Sequence, residues 1–266
     1  MPRFNNISPI VKQLIIVNAA MLILTSIAER LGVDLVQWLG LYYFDSQYFH
    51  PYQFITHIFM HGGWMHLLFN MYALYMFGSA LEQVWGGKRF LIYYFVTGIG
   101  AAALHTFVNY IEISHLQETV IAFENTPTPA LLEDLLKNLH QPASWLNDFI
   151  NKWDDAPNNF AYIQQATEIA QRILAARMDI PTVGASGAVF GVLLAFGMLF
   201  PNTQLMLLLP PIPIKAKWFV VAYGVLELWL GISDAGSNVA HFAHVGGMIF
   251  GYLLIVYWRK KSQNFY

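Results

Sequence analysis

Apolar residues gather along the chain into six runs, at about 10–28, 64–85, 89–110, 186–200, 218–232 and 239–258. A helix needs about 20 residues to cross a hydrocarbon core of about 30 Å. The second, third and sixth runs meet that length, whereas the fourth and fifth are short. The opening residues "MPRFNNISPI" lack a short apolar core ending in a small-residue cleavage site, so the first run reads as a retained helix and not a signal peptide. Residues 111–182 follow another pattern. There "ALLEDLLKNLH" and "FAYIQQATEIAQRILAARM" repeat apolar residues at three and four spacing, between Pro127, Pro129, Pro142 and Pro157. This predicts two to four amphipathic helices that lie on the bilayer, pack over the bundle or bind a partner. The expected architecture is an all-α membrane protein, one domain of six transmembrane helices over 1–266 with a helical extramembrane insertion at 111–182.

Composition supports the membrane reading. Of 266 residues 56% are hydrophobic and 11% charged, against about 25% charged in soluble domains. Lys and Arg set the orientation. With the N-terminus cytoplasmic, Arg3, Lys12, Lys88, Arg89, Lys215, Lys217, Arg259, Lys260 and Lys261 all fall inside, and among the short outer loops only Arg30 falls outside. The insertion then faces outward, with ten acidic residues against Lys137, Lys152, Arg172 and Arg177. The outer loop 31–63 is rich in aromatics, as a membrane interface favours. The absence of cysteine excludes disulfides and thiol catalysis, and the net charge of −2 suggests no nucleic-acid partner.

Polar groups inside a span are costly and therefore mark candidate chemistry. His66 and Asn70, four apart, share one face of the second span. His241 and His244 lie one turn apart at the start of the sixth. By itself the octet "GASGAVFG" (184–191) reads equally well as a small-residue packing device and as the setting of a nucleophile, Ser186. Depth relates these groups. A fourth helix beginning near Ser186 and stopping before Pro201 is about 22 Å long, so the serine sits roughly 8 Å below the outer surface, level with His66, Asn70 and His244. The preceding "DIPTVGA" is non-helical at that depth, which requires protein or an outward-opening aqueous cavity around it. If the stripes Gly187/Gly191/Ala195 and Gly247/Gly251 pack together, Ser186 meets His244, and the helix N-terminus offers N–H groups to an oxyanion.

With "HGGWMHLLFN" (61–70), "GASGAVFG" (184–191) and "AHFAHVGGMIFG" (240–251), the chain resembles the rhomboid family of intramembrane serine proteases. That resemblance implies Ser186 as nucleophile and His244 as general base. It implies an oxyanion hole of Asn70, His66 and the Ser186 backbone N–H, with Phe190 packed on the imidazole, and it matches Gly184, Ala243 and Gly247 to family positions. His241 is then a cavity-rim or water-binding residue, while His57 and His61 hold water or brace the outer loop. The expected catalytic unit is a dyad without an acid, the intramembrane acids Glu82 and Glu227 lying elsewhere. Two departures stand out. Tyr52-Gln53 replaces the Trp-Arg pair of many relatives, which removes the arginine that anchors the outer loop, and the insertion is far longer than the usual connection.

The implied function is hydrolysis of peptide bonds within or next to transmembrane helices of membrane-protein substrates. The implied partners are those substrates and the lipid bilayer, with no cofactor, metal or nucleic acid. The expected location is a bacterial cytoplasmic membrane, with both termini cytoplasmic and the site opening outward. The alternative is a catalytically inactive relative that binds membrane clients. A metal-dependent protease using His57, His61, His66, His241 and His244 is disfavoured by the absence of a His-Glu-x-x-His signature and of an acid among these five. A transporter finds no support in matching broken helices.

Overall fold

The first helix, α1 (Pro9–Arg30), opens on a proline, whose missing N–H belongs to a position that has no intrahelical partner. The next two amides, of Ile10 and Val11, donate to the two carboxylate oxygens of Glu82 at 3.0 and 2.9 Å. This computed structural model describes residues 7–137, 144–206, 212–233 and 240–261. The chain divides into two units, one of Met1–Leu41, Tyr48–Thr106 and Pro181–Tyr266, the other of Tyr42–Gln47 and Phe107–Ile180.

In the first unit, α2 (Leu35–Leu39) is capped by Asp34, whose carboxylate accepts from the amides of Val36 and Gln37. α3 (Gln53–Thr56) runs into a tight turn at His57–Phe59. The helical stretch from residue 64 to 85 comprises α4 (Trp64–Ala73), a widened turn at Leu74–Gly78 and α5 (Ser79–Trp85). α6 (Gly87–Asn125) continues well past the end expected at 110. Hydropathy marks where lipid would end, but no glycine or proline falls between Gly100 and Pro127 to stop the helix itself. Beyond the second unit come α10 (Ser186–Leu199), α11 (Ala216–Ile232) and α12 (His241–Lys261). Between α10 and α11, a short antiparallel ribbon pairs β1 (Gln204–Met206) with β2 (Pro213–Lys215). It is a small departure from the all-helical expectation, in a link whose prolines bar a helix. The chain is an all-α membrane bundle in which α1, α6 and α12 are long and apolar enough to cross a bilayer, and α10 is a shorter apolar helix.

The core of this unit draws Val11 and Leu14 from α1, Leu67 and Met71 from α4, Phe90, Tyr93 and Tyr94 from α6, and Ala188 and Val192 from α10. Its outer face is apolar too, with Trp64, Met65 and Phe69 of α4 and Val225 and Trp229 of α11 exposed, as a lipid-facing surface requires. Small residues let α10 nest at the centre. Gly187 abuts Ala101 of α6, Gly191 abuts Thr97, and a side chain at Gly247 of α12 would collide with the Gly187 carbonyl. The Tyr93 hydroxyl donates to the Gly191 carbonyl at 2.8 Å.

The second unit comprises the outer part of α6, then α7 (Pro129–Lys137), α8 (Ser144–Asp154) and α9 (Phe160–Met178). It has its own core, centred on Trp153 with Phe123, Leu132, Leu135 and Ala166. Asn159 caps α9 through the Ala161 amide, Ser46 donates to Asp179 at 2.6 Å, and Arg177 pairs with Glu112 at 2.9 Å.

Candidate active site

The non-helical stretch before Ser186 obtains its backbone partners from protein. The amide of Thr182 donates to Leu41 O at 2.8 Å and that of Leu41 to Thr182 O at 2.9 Å, while the amide of Gly184 donates to His57 O at 2.9 Å. The space left beside Ser186 is a cavity of about 20 Å3, room for about one water. His57, Gly98, Ala101, Thr182 and Ala243 are among the residues lining it. Of the two surroundings that the sequence allowed for this stretch, protein or an aqueous cavity, protein supplies the backbone partners and a small cavity lies beside them.

Gly184 has φ +129°, a conformation that side chains avoid. Its missing Cβ also matters for space, because one placed there would lie 2.8 Å from Cε1 of His66. The glycine thus turns the chain into α10 and lets the His66 ring rest against the backbone two residues before the serine. Ser186 is the first residue of α10, and the preceding Ala185 gives no side-chain cap, so the first-turn amides have no side-chain cap.

His66 stands edge-on to His61, their ring centroids 5.1 Å apart. Asn70 is buried on the same helix face, and its amide nitrogen donates to the His66 carbonyl at 3.0 Å. The second hydrogen on that nitrogen remains for another acceptor.

Across the Gly187/Gly247 contact sits His244, 8% exposed. Phe190, one turn after Ser186, stacks on its ring at a centroid distance of 4.1 Å and an angle of 5°. The carry-over from the family pattern expects this aromatic. Among the described residues no hydrogen bond joins Ser186 to His244.

The expected absence of an acid is overturned. Glu227 of α11, 4% exposed, accepts from His244 Nδ1 at 2.8 Å and from His241 Nδ1 at 2.7 Å, both at its Oε2. A carboxylate only accepts, so each imidazole carries its hydrogen on Nδ1. Helices α11 and α12 run antiparallel, with Gly231 against His241 and Phe242 and Gly224 against Met248, which brings residue 227 to the level of 241–244. Glu227 is five residues from the end of α11 and His244 three from the start of α12. The same depth count that related Ser186 to His244 would have found it. His241 is therefore not a free rim residue, and the objection that no acid stands among the histidines falls with it: Glu227, His241 and His244 offer ligand atoms within 4.8 Å of one another, a donor set suited to a divalent cation. Glu82 does lie elsewhere, capping α1.

His57 and His61 are both buried. Burial pushes the His57 imidazole down to about 4, and its Nδ1–H donates to Gln53 O at 2.8 Å. Burial, then the neighbouring His66, pushes His61 down to about 4 as well, and among the described residues neither of its ring nitrogens has a hydrogen-bond partner. His57 braces the chain ahead of Ser186 through its carbonyl and is one of the residues lining the small cavity.

The arginine that the outer loop lacks has a neutral replacement. Gln53 is wholly buried, donates to Tyr48 O at 2.8 Å and Trp38 O at 3.2 Å, and accepts from the His50 amide at 3.1 Å. One amide group ties three points of the loop together. The glycine-bearing segment "GISDAGSN" (231–238), next to the candidate site along the chain, lies largely outside the described residues.

Comparison with known proteins places these elements in context. A family model described as "Rhomboid domain" matches residues 48–113 and 160–261. An uncharacterised mitochondrial rhomboid protein of Schizosaccharomyces pombe is 28% identical over 218 residues, 78% of this chain and 52% of that protein. Mitochondrial rhomboid protein 1 of Saccharomyces cerevisiae is 37% identical over 84 residues, 32% of this chain and 24% of its own. A rhomboid protease of Providencia stuartii is 38% identical over 56 residues, 21% of this chain and 20% of that one. The chain thus spans about half the length of the fission-yeast relative and about a quarter of the budding-yeast one.

Proposed function

The chain belongs to the rhomboid family, and from that premise we propose that it is a serine endopeptidase that cuts peptide bonds within or next to the transmembrane helices of other membrane proteins. The observation carrying this reading is the junction of α10 and α12. Ser186 heads one helix where Gly187 touches the other, and the His244 imidazole is fixed there against Phe190. In the proposed reaction Ser186 Oγ attacks the scissile carbonyl carbon and its proton passes to Nε2 of His244. The oxyanion takes hydrogen bonds from the Ser186 N–H, Asn70 and His66. Collapse of the intermediate breaks the C–N bond, the amine leaves with the proton from Nε2, and water hydrolyses the acyl-serine by the same route.

A substrate helix has its carbonyls bonded internally, so it must unwind locally before one enters the site. Glycine or proline near the outer end of the substrate span favours that. The lysine and arginine distribution supports termini on the cytoplasmic side with the site opening outward, and a bacterial cytoplasmic membrane is part of the same proposal. The insertion 111–182 is read as an element of substrate selection.

The test is cleavage of a panel of single-span membrane proteins in lipid vesicles by wild type and Ser186→Ala, with fluorophosphonate labelling alongside. Cleavage and labelling that both vanish in Ser186→Ala are expected. Cleavage that survives the substitution overturns the assignment, and a wild type that binds these proteins but neither cuts nor labels is the inactive, client-binding alternative.

A further inference from the structure

Among the described residues, the side chains that α11 fully buries are Ala216 and Val220 in its first turns and, from there to its end, Glu227. An ionisable side chain turned inward from an apolar helix is costly unless it is paired, and Glu227 pairs with His241 and His244. We infer that Glu227 is a positioning residue for the reaction proposed above, holding His244 so that the site operates as a Ser186–His244–Glu227 triad and not as a dyad. The inference rests on that reading of Ser186 and His244.

The chemistry follows from the two ring nitrogens. With Nδ1–H donated to Glu227 at 2.8 Å, the lone pair is left on Nε2, at the far side of the ring from the carboxylate, as a general base for a serine requires. Phe190 fixes the ring plane and Glu227 fixes rotation within it. When the serine proton reaches Nε2 the ring becomes an imidazolium, and the carboxylate already lies against it where water is scarce and opposite charges attract strongly. The Nδ1 proton stays where it is and Glu227 is not protonated in the step. His241 supplies the second donor to the same oxygen at 2.7 Å, standing edge-on to His244 at 89° with ring centroids 6.3 Å apart. It holds the carboxylate toward His244 while Nε2 of His244 stays available.

The test compares wild type, Glu227→Gln and Glu227→Asp as full-length protein in lipid vesicles, reading kcat and KM on a single-span substrate, fluorophosphonate labelling of Ser186 and thermal unfolding. Breaking the matching carboxylate–imidazole contact in soluble serine proteases lowers kcat on the order of 10⁴-fold. Here Glu227→Gln is expected to lower kcat at least about 30-fold and slow labelling in step, with KM within about twofold and the unfolding temperature unchanged. Glu227→Asp, which keeps the charge, recovers part of the loss. The proposal is overturned if Glu227→Gln keeps kcat within about twofold, if Glu227→Asp is as impaired as Glu227→Gln, or if activity falls only as the fold is lost. Loss of wild-type activity on adding a chelator also overturns it, by marking the cluster as a required metal site. A wild type that neither cleaves nor labels defeats the functional reading and the triad together, which is distinguishable from an active wild type matched by an active Glu227→Gln.

Discussion

His57 makes the clearest case for a single side chain whose protonation the fold opposes. Its folded value of about 4 lies below the ordinary 6.5, so between those limits the unfolded chain binds the extra proton. Its contribution to stability is complete above pH 6.5 and is lost as pH falls toward 4, by roughly 3 kcal/mol for one such group. Thermal unfolding measured across that range should show the decline, and His57→Gln should flatten it; an unchanged slope would exonerate His57. Gly184 allows a prediction of another kind. Gly184→Ala forces a side chain into φ +129° and against His66, at a cost of roughly 1–3 kcal/mol. Fluorophosphonate labelling of Ser186 should fall at least tenfold in that variant, and wild-type labelling would mean that the His66–Gly184 contact does not shape the site.

Between elements, closeness is the variable that decides. The α10–α12 contact works because residues 187 and 247 have no side chains, so Gly247→Val should push the helices apart and cost about 1–3 kcal/mol. Retained activity with unchanged unfolding temperature would contradict that packing. Gln53→Leu leaves the carbonyls of Trp38 and Tyr48 without the donors they have now, and at about 1–3 kcal/mol per unsatisfied buried group the outer loop should become the first region to exchange its amide hydrogens. Much of this was readable in advance. The helix ends of α1, α10 and α12 fall within a few residues of their apolar runs, since each run is a single uninterrupted helix. The agreement fails at α6, where helix continues after hydropathy ends. Glu227 is visible in the sequence but is set apart from the histidines there, because motif spacing relates residues along the chain, whereas its partnership with His244, seventeen positions on, depends on two antiparallel helices sharing a level. The anchoring role of Gln53 escaped notice because a loop's anchor is set by which carbonyls surround it, and no local pattern reports that.

The molecule as a whole is two units with separate cores. Replacing residues 115–178 with a short flexible linker should therefore leave a folded membrane bundle whose Ser186 still labels, while the ranking of single-span substrates changes. An unaltered ranking would remove the insertion from substrate selection. The grip of Glu82 on the amides of Ile10 and Val11 has a further consequence, for biosynthesis. The carboxylate is encoded 72 residues after Ile10, from whose amide it accepts a hydrogen bond, so at about 5–20 residues per second of translation the first helix waits several seconds with its leading amides uncapped. During that interval α1 lacks its final anchor, and water, the lipid headgroups or the insertion machinery must satisfy its leading amides until the helical stretch carrying Glu82 arrives to take over.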